Sequence, residues 1–197
     1  PARVITYTQG GFTMLLCDTG YTDYSEAWKG IFVRCSSDTN QHVLDGILNV
    51  QQGDIVRITG LISEFPTSNM NSTTQFQPIP GIPIEVLGTT SNLPRNIPVA
   101  CDSFYHGLYP SGKVDYSKGE KYDGTIVELT NVTVNAIVDA NRGTFSMVTS
   151  SGDNISDYDA SHFFTLGHTG IPGDTSYINQ IWPQIQVGTV ISRIRGF

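Results

Sequence analysis

The sequence predicts an all-β protein made of two β modules in tandem, and three observations support that expectation. Apolar and polar side chains alternate in short runs, with the period of a half-buried strand. Turn formers interrupt those runs throughout: the 197 residues include 20 glycines and 10 prolines, with Thr, Ser and Asn abundant among them. The chain also echoes itself. RVITYTQGGFTMLLCD at 3–18 matches NVTVNAIVDANRGTFSMVTS at 131–150, and GDIVRITGL at 53–61 matches VGTVISRIRGF at 187–197. Repetition of this kind marks a duplicated supersecondary unit. Residues 1–92 are expected to form the first module, 93–101 a linker and 102–197 the second. The first copy has no counterpart of GTIVEL (124–129), so it lacks an initial strand. The second has none of SEF and IEVLG, so it lacks terminal strands.

Taken in order, ARVITYTQ (2–9) alternates as a strand, Gly10 and Gly11 turn the chain, and FTMLLCDT (12–19) returns. The polar, aromatic stretch to Lys29 reads as a loop or single turn, and GIFVRC (30–35) as a third strand. Residues 36–52 are helical or irregular, anchored by Leu44, Ile47, Leu48 and Val50. GDIVRITGLISEF (53–65) then opens on a Gly-Asp turn and carries Gly60 inside a long strand. An internal glycine there signals a bent or bulged strand that turns a barrel corner. Residues 66–80 read as a long polar loop, IEVLG (84–88) as a strand, and the stretch with Pro94 and Pro98 as an extended linker. After irregular or short-helical residues 102–123 comes the longest β signal, GTIVELTNVTVNAIV (124–138). TFSMVTS (144–150), a polar loop, SHFFTL (161–166), a glycine-rich stretch and the final strand to Phe197 complete the chain.

Charge narrows the function classes. Lys+Arg 11 against Asp+Glu 18 leaves −7, which gives little long-range attraction for a phosphate backbone. No apolar run is long enough to cross a membrane, so no membrane insertion is expected. Low lysine content and polar, Asn/Thr-rich loops point to a secreted, extracellular or cell-surface protein. Cys17 and Cys35 lie in neighbouring apolar runs and are a candidate disulfide that would leave Cys101 free; three buried thiols fit equally well. Asn71, Asn131 and Asn154 stand in Asn-X-Ser/Thr patterns, which mark glycans only in a cell with that machinery.

The residues Gly30, Ile31, Phe32, Val33, Gly53, Asp54, Val56, Thr59, Gly60 and Glu64 follow a definite order of strand, turn and strand. Tyr122, Gly124, Val127, Leu129, Asn131, Val132 and Val134 continue it. In that order the chain resembles the tandem OB-fold-like domains of secreted bacterial proteins, which accompany extracellular nucleases or stand in large surface proteins. The resemblance implies two OB-like Greek-key barrels and covers most of residues 5–138, more loosely 143–197. The chain departs from that pattern in its missing strands and in having no nuclease domain. OB barrels bind oligonucleotides or glycans on strands and loops, and the fold alone does not choose between such uses. Aromatic platforms beside cations suit single-stranded nucleic acid. Tyr7, Arg34, Arg57, Tyr105 and Tyr109 are the candidate ligand-binding residues here, set against the reading that the tyrosines merely cover barrel ends.

Asp153, Asp157 and Asp159, spaced two to four apart in GDNISDYDAS, are candidate calcium ligands, since hard cations take several oxygens. A solvated acidic loop is the plainer reading of the same residues. His162 and His168 with Asp159 match no zinc pattern. No phosphate-cradling glycine loop and no nucleophile elbow is present, so neither catalytic residues nor a required cofactor is expected. Missing strands leave backbone groups unpaired. Copies that completed each other's modules would join head to tail into a filament or surface assembly. The alternative is an OB-type binding module, for single-stranded nucleic acid or glycan, of a secreted nuclease or adhesin.

Overall fold

The computed structural model describes residues 2–4, 13–18, 28–35, 45–65, 73–108, 110–139, 143–150, 152–157 and 185–197. The chain forms two compact units, each discontinuous in sequence. The first combines Pro1–Ile97, Lys121–Val127 and Phe197; the second combines Pro98–Glu120 and Glu128–Gly196.

In the first unit, β1 (Ala2–Val4), β2 (Thr13–Cys17) and β3 (Gly30–Arg34) run antiparallel. β4 (Asp54–Arg57), β5 (Gly60–Phe65), β6 (Thr73–Pro78) and β7 (Glu85–Thr89) follow. The five-stranded sheet has the order β1-β2-β3-β6-β5, so β6 inserts between β3 and β5. It pairs parallel with β3 and antiparallel with β5. A separate antiparallel ribbon joins β4 and β7. Met14, Val33, Cys35, Ile47 and Val50 form the buried core, with Phe76, Val56 and Ile84 packed against it. Alternation explains the membership: Val33 and Cys35 point inward, whereas Phe32 and Arg34, alternating with them, point to the opposite face.

The long strand expected over 53–65 is two strands in two sheets. Ile58 and Thr59 leave the ladder, and Gly60 sits where a Cβ would run into the Phe76 ring and the Gln77 carbonyl oxygen. Only glycine lets the backbone turn so close under that ring. Asp54 closes the preceding turn by accepting the Gln51 N–H at 2.7 Å. Part of the polar stretch 66–80, read as loop, is strand β6. Its Gln75 is buried and faces Phe32 in register.

The second unit holds one curled five-stranded half-barrel. β11 (Val127–Asp139), β12 (Thr144–Val148), β13 (Asn154–Ser156) and β14 (Val190–Gly196) lie in the order β13-β12-β11-β14, with β8 (Ile97–Pro98) also on β11. Asn131 adopts a left-handed φ of 52°, a conformation its short polar side chain tolerates. Thr130 and Asn131 are both exposed, so Leu129 and Val132, three apart, both reach the core. Two further register shifts against β12 follow, and such irregularities bend a strand. Leu129, Val132, Val134, Phe145, Met147 and Cys101 form the core beneath. The polar stretch after Ser150, expected as loop, contributes β13; the SHFFTL run at 161–166 lies outside the described residues. The linker contributes β8, with the Val99 N–H donating to the Glu128 carbonyl at 3.0 Å. A hairpin of β9 (Tyr105–His106) and β10 (Lys113–Val114) precedes the short helix α1 (Tyr116–Gly119). The fold is therefore mostly β, with α1 and 3-10 turns at 47–49, 101–103 and 120–122 among the described residues.

Candidate functional site

The feature of the first unit that invites a partner is the free side of β5, the last strand of its sheet. β5 pairs with β6 from Gly60↔Pro78 through Phe65↔Thr73. Among the described residues no strand lies on its other side. Leu61, Ile62 and Phe65 are 64%, 68% and 52% exposed. The strand thus offers apolar side chains on both faces beside an open row of backbone donors and acceptors. Its one ionisable side chain, Glu64, accepts a hydrogen bond from the Thr74 hydroxyl at 2.9 Å.

Beside this edge lies an aromatic cluster. The Arg34 guanidinium stands 4.9 Å from the Phe65 ring centroid, within cation–π range. On the same outward side of β3, Phe32 stacks on Phe197 with centroids 5.1 Å apart and planes 19° from parallel, an arrangement favoured by the ring quadrupoles. Ser63 and Gln75 face each other in register, and Ser63 Oγ and Gln75 Oε1 are buried without hydrogen-bond partners.

The second unit ends its sheet on β14. Arg195 Nε reaches Glu128 Oε2 at 2.7 Å and Arg193 Nε reaches Glu128 Oε1 at 3.5 Å. One carboxylate serving two guanidiniums leaves a positive charge in excess along this edge. Elsewhere in the unit, Asp115 accepts from Ser117 Oγ at 2.6 Å and pairs with His106 Nε2 at 2.8 Å. Ser117, then His106 and Lys118, hold its carboxyl below the usual 3.8. The serine bonds to the aspartate rather than to the imidazole, so this is no nucleophile–base–carboxylate relay.

The structure brings together few of the residues expected from the sequence. Arg34 belongs to the aromatic cluster. Arg57 is engaged elsewhere, 2.8 Å from Glu85 across the β4–β7 ribbon. Tyr105 places its backbone in β9; its side chain, Tyr7 and Tyr109 lie outside the described residues. Asp153 Oδ1 accepts the Gly107 N–H at 2.9 Å, and the Asp157 N–H donates to the Phe145 carbonyl at 2.8 Å. Asp159 lies outside the described residues. Among those that are described, no group of three or more His, Cys, Asp or Glu is placed to hold a metal ion.

The Cys17–Cys35 disulfide is not formed; all three cysteines are free thiols. Register explains why. Cys17 lies opposite Gly30 and Thr13 opposite Arg34, so Cys17 and Cys35 sit at opposite ends of the β2–β3 pair. Five residues of strand separate them by ~17 Å, far beyond the ~7 Å limit for Cα atoms of a disulfide. Burial, with the Asp45 charge adding to it, pushes the Cys35 thiol up to about 12. Of the glycan patterns, Asn131 is exposed, Asn154 is fully buried with Nδ2 donating to Ser146 Oγ at 2.7 Å, and Asn71 lies outside the described residues.

Neither the open edge nor the Arg34–Phe65 pair could be read from the sequence, because both depend on β6 lying between β3 and β5. Comparison with known proteins adds no relative: no family model, curated protein or solved structure matches the chain.

Proposed function

We propose that this chain is a non-enzymatic, extracellular structural protein whose copies join head to tail by strand pairing, the two modules being OB-like barrels in tandem. The open edge of β5 carries this reading. Proteins that stay monomeric blunt such edges with lysine, proline, bulges or a covering segment. β5 contains no lysine and no proline, and it exposes three large apolar side chains. An added strand would satisfy the free backbone groups and cover Leu61, Ile62 and Phe65 together. The curled half-barrel of the second unit supports the OB-like reading. No helix among the described residues is long and apolar enough to cross a membrane.

Electron microscopy and light scattering of the purified protein test the proposal. Wild-type chain should form fibres or large oligomers, and Ile62→Lys, which plants a charge on the edge, should remain monomeric. A monodisperse wild-type monomer at native pH sinks the proposal.

The Arg34–Phe65 pair favours a second reading, an OB-type binding module of a secreted nuclease or adhesin for single-stranded nucleic acid or glycan. Bases stack on exposed rings next to cations. Micromolar binding of an oligonucleotide that collapses with added salt would put this reading first. The net charge of −7 argues the other way.

A further inference from the structure

We infer that the strand meeting β5 in the assembly is β14 of the next copy, so that the first unit of one chain joins the second unit of another. The inference rests on the head-to-tail reading above and specifies its contact. The other edge strands of the described sheets can be compared with β5. β1 and β13 have three residues, β4 four, and β8, β9 and β10 two each, too few to cover the six of β5. β7 carries Glu85, whose charge Arg57 already meets at 2.8 Å. β14 is seven residues long, has no proline, and exposes Val190 by 67%. Its ionisable side chains are Arg193 and Arg195, both half-exposed or more and sharing the single carboxylate of Glu128.

Charge then selects the pairing. β5 against β5 brings together two acidic strands with no cation between them, and β14 against β14 brings together two strands that each carry two arginines. β5 against β14 sets Glu64 beside guanidiniums whose remaining N–H groups can take a second carboxylate. Opposite charges across strands stabilise and like charges destabilise, so the mixed pair is favoured over both symmetric ones. A contact between two different surfaces does not close on itself and propagates as an open chain.

Complementary charge variants test the assignment. Glu64→Lys alone and the double variant Arg193→Glu/Arg195→Glu alone should each raise the critical concentration for assembly about tenfold or more. Mixed one to one, they should co-assemble near the wild-type concentration, because each supplies the edge the other needs. Circular dichroism confirms that both are folded, and the milder Glu64→Gln should shift assembly in the same direction if the lysine variant misfolds. Wild-type fibres with unimpaired assembly of Glu64→Lys and Glu64→Gln would overturn the β5–β14 contact while leaving assembly itself standing. A wild-type monomer would remove both.

Discussion

Replacing Gly124 by alanine tests how the first unit is built, because this residue belongs to the segment Lys121–Val127 that packs with Pro1–Ile97. Gly124 has φ +70°, and an added Cβ would lie 2.7 Å from Ile31 Cα, 2.9 Å from Ile31 N and 2.9 Å from Gly30 O. All three are backbone atoms of β3 or its first residue, and β3 is hydrogen-bonded on both sides by β2 and β6. The strand cannot step aside without breaking a ladder. The left-handed conformation costs an alanine about 1–2 kcal/mol. Overlap with a packed neighbour adds roughly 1–3 kcal/mol. The sum, about 2–5 kcal/mol, is a large part of the ~5–15 kcal/mol that holds a typical domain together.

Two companions separate these contributions. Gly81 has φ +84° with nothing within 4 Å of its would-be Cβ, so Gly81→Ala should cost only the conformational part, about 1–2 kcal/mol. Gly30→Ala meets the Gly124 carbonyl from the opposite side, so it should cost only the overlap part, and the pair Gly30→Ala/Gly124→Ala should be less than additive. Urea unfolding followed by circular dichroism reads all four variants against wild type. If Gly124→Ala proves no worse than Gly81→Ala, the close approach of residue 124 to β3 is wrong, and with it the placing of 121–127 in the first unit.

Three further outcomes are expected. Thiol titration should find three reactive cysteines per unfolded chain, with the buried Cys35 and Cys101 slower than the half-buried Cys17 in the folded protein; a single reactive thiol after non-reducing unfolding would restore the disulfide. Asp115 has a lowered folded-state pKa, so its contribution is present above the usual 3.8 and is lost as pH falls through the lower, folded value; proton NMR of the α1 amides should show that acid transition, and Asp115→Asn should abolish it. Ser63→Ala removes a buried hydroxyl without a partner and should be neutral or stabilising by up to about 1 kcal/mol in the same urea assay, whereas a loss above that size would reveal a hydrogen bond to Ser63.

The sequence made the strands legible wherever apolar alternation was strong, as in β3, β11 and β12, and it located the bend at Gly60. It concealed β6 and β13 because their buried positions, Gln75 and Asn154, are polar residues that pattern reading assigns to loops. The cost of burying Asn154 is met in part by its 2.7 Å bond to Ser146 on the neighbouring strand, and that partner is eight residues away. Strand register was equally hidden. Cys17 ends β2 and Cys35 follows β3, neighbouring strands as expected, yet antiparallel pairing sends the two residues to opposite ends. The joining of 121–127 to the first unit rests on contacts such as Thr74 N–H to Asp123 Oδ2 at 2.8 Å and Trp28 N–H to the Lys121 carbonyl at 2.8 Å. Each is a tertiary pairing that no local pattern announces.

GDIVRITGL spans β4 and the start of β5, VGTVISRIRGF forms β14, and both β5 and β14 end their sheets. The echo aligns β14 with residues 55–60 rather than with β5, so the two edges carry unrelated side chains: Glu64 on β5, in the SEF that has no counterpart in the second half, and Arg193 and Arg195 on β14. Glu128 shows that the β14 guanidiniums accept a carboxylate from a neighbouring strand, and Glu64 offers the same group from an edge exposed to solvent. In the proposed contact, opposite charge on these two unlike edges favours the mixed pair and disfavours each edge against its own copy.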